Sequence, residues 1–151
     1  MKIITKSLLS LLAAAFIMPV FAGGVGYIDY EKVFENYQYA KTSVREIQNK
    51  EKEIQKYLEA KEAEFEKLET PLQKKKFQTT VQAEMKTKEA AFNDFRIKRE
   101  EAVYQKIHAV SEKIRLEKGL DAILDARSVF SGGVDITDPL IKALNSGSAA
   151  K

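Results

Sequence analysis

From Val33 onward, apolar side chains recur on an alternating four–three spacing. Positions 33, 37, 40, 44, 47, 51, 54, 58, 61, 65 and 68 carry Val33, Tyr37, Ala40, Val44, Ile47, Ile54, Leu58, Phe65 and Leu68, and only Glu51 and Lys61 interrupt the ladder. A ladder this regular, set among Glu, Lys and Gln, is the pattern of a coiled-coil seam. A second seam follows in Phe77, Val81, Met85, Phe92, Phe95, Val103, Ile107, Val110 and Ile114, with Lys88 and Arg99 as its polar rungs. Its spacing slips by one residue after Phe95, where two fours follow in succession. That slip predicts a locally unwound stretch with looser packing or a bend. No glycine occurs between Gly26 and Gly119, and the filler residues are good helix formers.

Between the seams stands Thr70-Pro71-Leu72-Gln73. Thr70 suits an N-cap, Pro71 suits the first helical position, and Gln73 completes a capping box with Thr70. Proline also disfavours the helical conformation at Thr70 itself. One helix is therefore expected to end near Glu69 and another to begin at Pro71. A single kinked helix of about 90 residues would run for about 135 Å with its apolar stripe exposed throughout. Two antiparallel arms bury both stripes against each other, so a hairpin is expected.

The flanks change character. Val25 to Ile28, bounded by glycine, reads as a strand, and Asp29 can cap a helix beginning near Tyr30 with Glu31 in its first turn. The second arm is expected to end at Lys118-Gly119, with Gly119 in the left-handed position. Beyond it, Leu120 to Leu124 and Ser128 to Phe130 read as two short strands joined by a turn, with a third pairing segment at Val134 to Ile136. Thr137-Asp138-Pro139 opens a last helix with Leu140, Ile141 and Leu144 on its apolar face, and Ser146 to Lys151 reads as a flexible tail. The predicted class is α+β: a long antiparallel helical hairpin, residues 40–118 with its tip near 69–77, on a small body of residues 23–39 and 119–145. That body holds 44 residues and no cysteine. A unit of this size without disulfides is usually too small to stand alone. Self-association through its sheet is the expected remedy.

The first 22 residues stand apart. Lys2 and Lys6 precede the apolar run Leu8 to Met18, and Val20-Phe21-Ala22 offers a cleavage site after Ala22. This is the form of a secretory signal peptide, and the run is shorter than the roughly 20 residues a membrane span requires. Its removal takes two lysines from a chain of 25 basic and 22 acidic residues, leaving +1. That small net charge is unevenly placed. Residues 40–70 hold seven basic and eight acidic side chains, and residues 89–118 hold seven and six. Residues 71–88 hold Lys74, Lys75, Lys76, Lys86 and Lys88 against Glu84 alone. A basic tip attracts anions, whether acidic polypeptide or lipid phosphate, and otherwise serves only to keep the hairpin end solvated. Export sets nucleic acid aside as a partner.

Catalytic chemistry is not legible in the chain. His108 is the sole histidine and sits beside Ile107 as a seam-edge residue. Phosphate-cradling glycine loops and nucleophile elbows are missing. The carboxylates of the arms repeat at helical intervals with no cleft to tune them. No enzyme activity, metal or cofactor is expected.

The opening VGYIDYEKVFENY, the charged hairpin and the closing GLDAILDARSVFSGGVDITDPLIKALN together resemble the OmpH/Skp family of periplasmic chaperones. The ends carry the specificity, above all Asp135-Ile136-Thr137. The resemblance implies a homotrimer whose sheets associate into a central body, with three helical arms around a cavity. It implies a periplasmic, ATP-independent holdase for unfolded outer-membrane proteins. On that reading Val25, Tyr27, Ile28, Leu124, Val129 and Phe130 hold subunits together. Lys74, Lys75, Lys76, Lys86 and Lys88 attract the client, and Phe65 and Phe77 offer it weak apolar contacts. Anionic lipid headgroups are a further candidate partner. The competing readings are a periplasmic coiled-coil adaptor bridging two envelope components and an exported lipid-surface binder.

Overall fold

The computed structural model describes residues 23–148. The signal segment 1–22 and residues 149–151 lie outside the described residues. In chain order the elements are β1 (Gly24–Ile28), α1 (Tyr30–Asn36), α2 (Gln38–Glu66), α3 (Pro71–Glu117), β2 (Leu120–Asp125), a 3-10 turn (Ala126–Ser128), β3 (Val134–Asp135) and α4 (Thr137–Ser148). The fold is α+β: a long helical hairpin, α2 and α3, joined to a small three-stranded sheet.

The sheet has the order β2-β1-β3 and is parallel throughout. Parallel neighbours need a long crossover between them, and the whole helical hairpin is the crossover from β1 to β2. The expected strand at Ser128 to Phe130 does not form. Instead the Asp125 carboxylate accepts from the Arg127 backbone N–H and from its guanidinium, each at 2.9 Å, and so closes a 3-10 turn. Gly132 and Gly133, at φ 80° and 85°, then bring the chain back to β3. Gly26 allows a close approach: a Cβ there would lie 2.7 Å from the tip of the Leu120 side chain on the neighbouring strand, which would have to shift.

A second departure is at Tyr37. The seam runs through this residue without a glycine or proline, yet the helix stops. Tyr37 adopts φ −84°, ψ 116°, between α1 and α2. The backbone groups at the break find partners over one hundred residues away. The Asn145 side chain on α4 accepts from the Gln38 backbone N–H and donates to the Asn36 carbonyl, both at 2.9 Å. These two bonds occupy backbone groups that the break leaves without helical partners. A third departure is at the C-terminus, where α4 continues through Gly147 to Ser148 instead of giving way to a tail at Ser146.

The core lies where the sheet, α1, α4 and the arm roots converge. It holds Ile28, Val33, Tyr37, Ala40, Val103, Ile107, Ile114, Leu120, Ile136, Leu140 and Leu144. A chain of polar contacts locks the two strand-to-helix junctions of this region together. Asp29 N–H donates to the Thr137 hydroxyl at 3.0 Å, Thr137 N–H donates to Asp135 at 2.9 Å, and Lys32 N–H donates to Asp29 at 2.9 Å. The Thr137 hydroxyl and N–H hold the Asp135 carboxyl below its usual range. Outside this region the seam is only half-buried: no side chain of residues 44–102 is fully buried. The two regions should therefore respond differently to truncation. Leu140→Ala is expected to lose about 2–5 kcal/mol, as for a buried leucine. Leu58→Ala should lose less than about 1 kcal/mol, because that side chain is 43% exposed. Urea unfolding of each variant measures the difference.

Candidate binding surfaces on the arm and the base

The hairpin turns where expected. The Thr70 hydroxyl accepts from Gln73 N–H at 3.2 Å, and Gln73 Oε1 accepts from Thr70 N–H at 3.1 Å, a reciprocal capping box with Pro71 in the first helical turn. Lys74, Lys75 and Lys76 follow directly, within the opening turns of α3. Their placement opposes the helix dipole, whose positive end already lies there. Three lysines just past the first turn therefore gain nothing from the dipole and concentrate positive potential at the arm's end. Lys86 and Lys88 are not part of the tip. Lys88 lies about 25 Å of helix below Pro71, with Nζ 4.4 Å from the centroid of the Tyr57 ring.

Behind the tip, Phe65 and Phe77 meet across the hairpin with ring centroids 6.1 Å apart. Lys74 Nζ lies 5.3 Å from the Phe65 centroid and Lys61 Nζ 5.6 Å from that of Phe77. An open groove of about 410 Å³ runs here, floored by Leu58, Phe65, Phe77 and Val81 and edged by Lys61 and Gln78. Leu72, beside Pro71, is 64% exposed. It lies off both seams, which is why a search for seam positions passes over it. An apolar residue off the ladder and beside the turn was the available signal. The arm's end thus combines aromatic faces with mobile cationic chains, a surface suited to extended polypeptide carrying both apolar and acidic groups.

Further down, Tyr57 donates to the Glu84 carboxylate across the hairpin. That bond pushes the Tyr57 hydroxyl up to about 12. Near the root, where the second seam slips, Arg99 Nη2 lies 2.7 Å from Glu46 Oε2, an ion pair whose angles fall outside hydrogen-bond geometry. A cleft of about 480 Å³ opens beside it between Phe34, Ile47, Ile97 and Tyr104. His108 is exposed, its ring tilted against that of Tyr104 with centroids 6.1 Å apart. Among the described residues no His, Cys, Asp and Glu cluster forms a metal site. Among the same residues no helix is long and apolar enough to cross a membrane.

At the base, the outward sheet face carries Val25, Tyr27 and Leu124, with Val25 and Leu124 about two-fifths exposed. Phe130 stands fully exposed on the loop after the 3-10 turn, and Val129 is half-buried there. Ile28 differs from the other base residues. Its side chain is buried in the protomer's own core, so it supports the sheet from within and is not offered to a neighbour.

A hairpin arm whose crossover joins two parallel strands of a small self-exposing sheet defines an α+β arm-and-base protein. The chain belongs to the OmpH-like family: the family described as "Outer membrane protein (OmpH-like)" matches residues 24–144. Among solved structures it is similar to a candidate outer membrane chaperone (OmpH-like) from Caulobacter crescentus CB15. That likeness has 15% identity and a TM-score of 0.39 over 83% of this chain and 85% of that one. No curated protein sequence matches this chain.

Two outcomes test the arm. In an absorbance titration one of the six tyrosines should ionise near 12 and vanish in Tyr57→Phe. Because the folded value is raised, the Tyr57–Glu84 bond supports the arm fully below the ordinary value of 10 and is lost as pH rises through about 12. Thr70→Ala should cost about 1 kcal/mol of arm stability by removing the cap, seen as faster amide exchange at residues 72–76.

Proposed function

We propose that this protein is an ATP-independent chaperone of the periplasm that holds unfolded outer-membrane proteins between its arms. Membership of the OmpH-like family supports a chaperone role. The observation that carries the finer reading is the makeup of the arm's end. Aromatic faces, an exposed leucine and a lysine triad sit together on a surface remote from the packed core. A folded ligand would call for a shaped pocket with fixed polar partners. An open groove with flexible cations suits a client that has no fixed shape.

The apolar base supports association of three copies through their sheets, with Val25, Tyr27, Leu124, Val129 and Phe130 at the contacts. Three arms then surround one client. Each contact is weak, and their sum gives avidity while any one of them breaks readily. That arrangement releases cargo without nucleotide hydrolysis. Lys86 and Lys88 line the arm below the tip and extend the cationic surface toward the space between arms. Anionic lipid headgroups would meet the same lysines.

The test is dilution of a urea-denatured outer-membrane β-barrel protein into buffer, followed by light scattering. The protein should suppress scattering; a folded-ligand adaptor would leave it unchanged. Replacing Lys74, Lys75 and Lys76 by Gln should weaken capture. Three surface charge contacts at about 0.5 kcal/mol each amount to about tenfold in Kd. The variant should also be less sensitive to salt. Equal capture and equal salt dependence would reject the role of the tip.

A further inference from the structure

We propose that the α1–α2 joint at Tyr37 is a conditional break, held open by Asn145 acting as a latch, and that the arm root is therefore a two-state element. Helix breaks normally have a local cause, such as proline, glycine or an inserted side chain. Nothing of the first two kinds is present: residues 34–40 read Phe-Glu-Asn-Tyr-Gln-Tyr-Ala. The apolar ladder crosses the joint in step, through Val33, Tyr37 and Ala40. The apolar pattern thus specifies one continuous helix, and no residue here forbids it. In such a helix Gln38 N–H would donate to the Phe34 carbonyl, and the Asn36 carbonyl would accept from Ala40 N–H. The Asn145 carboxamide occupies both groups instead, as acceptor and donor at 2.9 Å. A primary amide is the side-chain group that mimics both halves of the missing backbone pair.

Two states follow from this. In the latched state α4 docks on the joint, with Leu140 and Leu144 in the same core as Val33 and Tyr37. In the unlatched state Tyr37 turns helical, α1 and α2 fuse into one rod, and α4 loses its seat. The joint thus couples the C-terminal helix to the geometry at the root of the arm. Hinges of this type absorb their change in one or two backbone angles at an element's end.

The backbone of Tyr37 reports the state directly. In protein labelled with carbon-13 at tyrosine Cα, its chemical shift should lie in the extended range, with assignment from Tyr37→Phe. Asn145→Ala should move it to the helical range. Adding Gln38→Pro should return it to the extended range. Proline suits the first position of α2, removes the N–H that Asn145 accepts from, and keeps the preceding residue extended. An extended shift in Asn145→Ala alone overturns the latch. Should Asn145→Ala lose its fold, the double variant decides: recovery of folded structure supports the latch, and continued unfolding overturns it.

Discussion

Two helices packed side by side can share only one seam, and everything else about this molecule follows from that limit. A side chain on such a seam meets neighbours on one side and water on the other. Full burial needs a third layer, and the third layer exists only at the root, where the sheet and α4 close over Val33, Val103, Ile107 and Leu140. The arm is consequently built from half-buried contacts reinforced by pairs that bridge it, such as Phe65 with Phe77, Tyr57 with Glu84 and Glu46 with Arg99. It is a continuous but weakly anchored structure. The proposed capture of clients without fixed shape would benefit from that softness, because low local stability and adaptability have the same origin.

The charges at the tip gain nothing from the helix they stand on. The capping box satisfies the first turn of α3, yet the lysines that follow sit at the wrong end of the dipole. A sequence selected for the helix alone would place acids there. Such a conflict between local preference and observed residue fits the proposed site, since local inconsistencies tend to fall at functional positions. Lys61, Lys74 and Lys88 rest over aromatic rings, so part of the cationic surface is parked on the apolar one and both become available together.

The hairpin, its turn and the class of fold were legible in the sequence, because period, capping and proline placement are local signals. The helix from Tyr30, the cap by Asp29 and the stop at Gly119 were legible for the same reason. What escaped depended on distant residues. The backbone at the Tyr37 break is bonded by Asn145, and no window along the chain contains both. Ser128 to Phe130 carries strand-like side chains, but the Asp125–Arg127 contact diverts the backbone first. Sheet direction escaped because adjacent apolar runs look alike whether they pair with each other or with a distant strand. Of the candidate site, the lysine triad and the two phenylalanines stood out as composition and rhythm. Leu72 did not, since it belongs to neither seam. Ile28 was grouped with the base contacts because an apolar strand residue does not disclose which face it occupies.

The pairing of Gly24 with Leu120 places the two ends of a very long excursion side by side. The first strand of the chain is the central one, and both of its neighbours lie beyond the two helices in sequence. Until those neighbours are in place Val25 and Tyr27 have no sheet to join, and the cost of closing so large a loop falls if the hairpin forms first and shortens it. A hairpin that closed first would carry β2 back to β1, so the arm is also the means by which these two strands of the base are brought within reach.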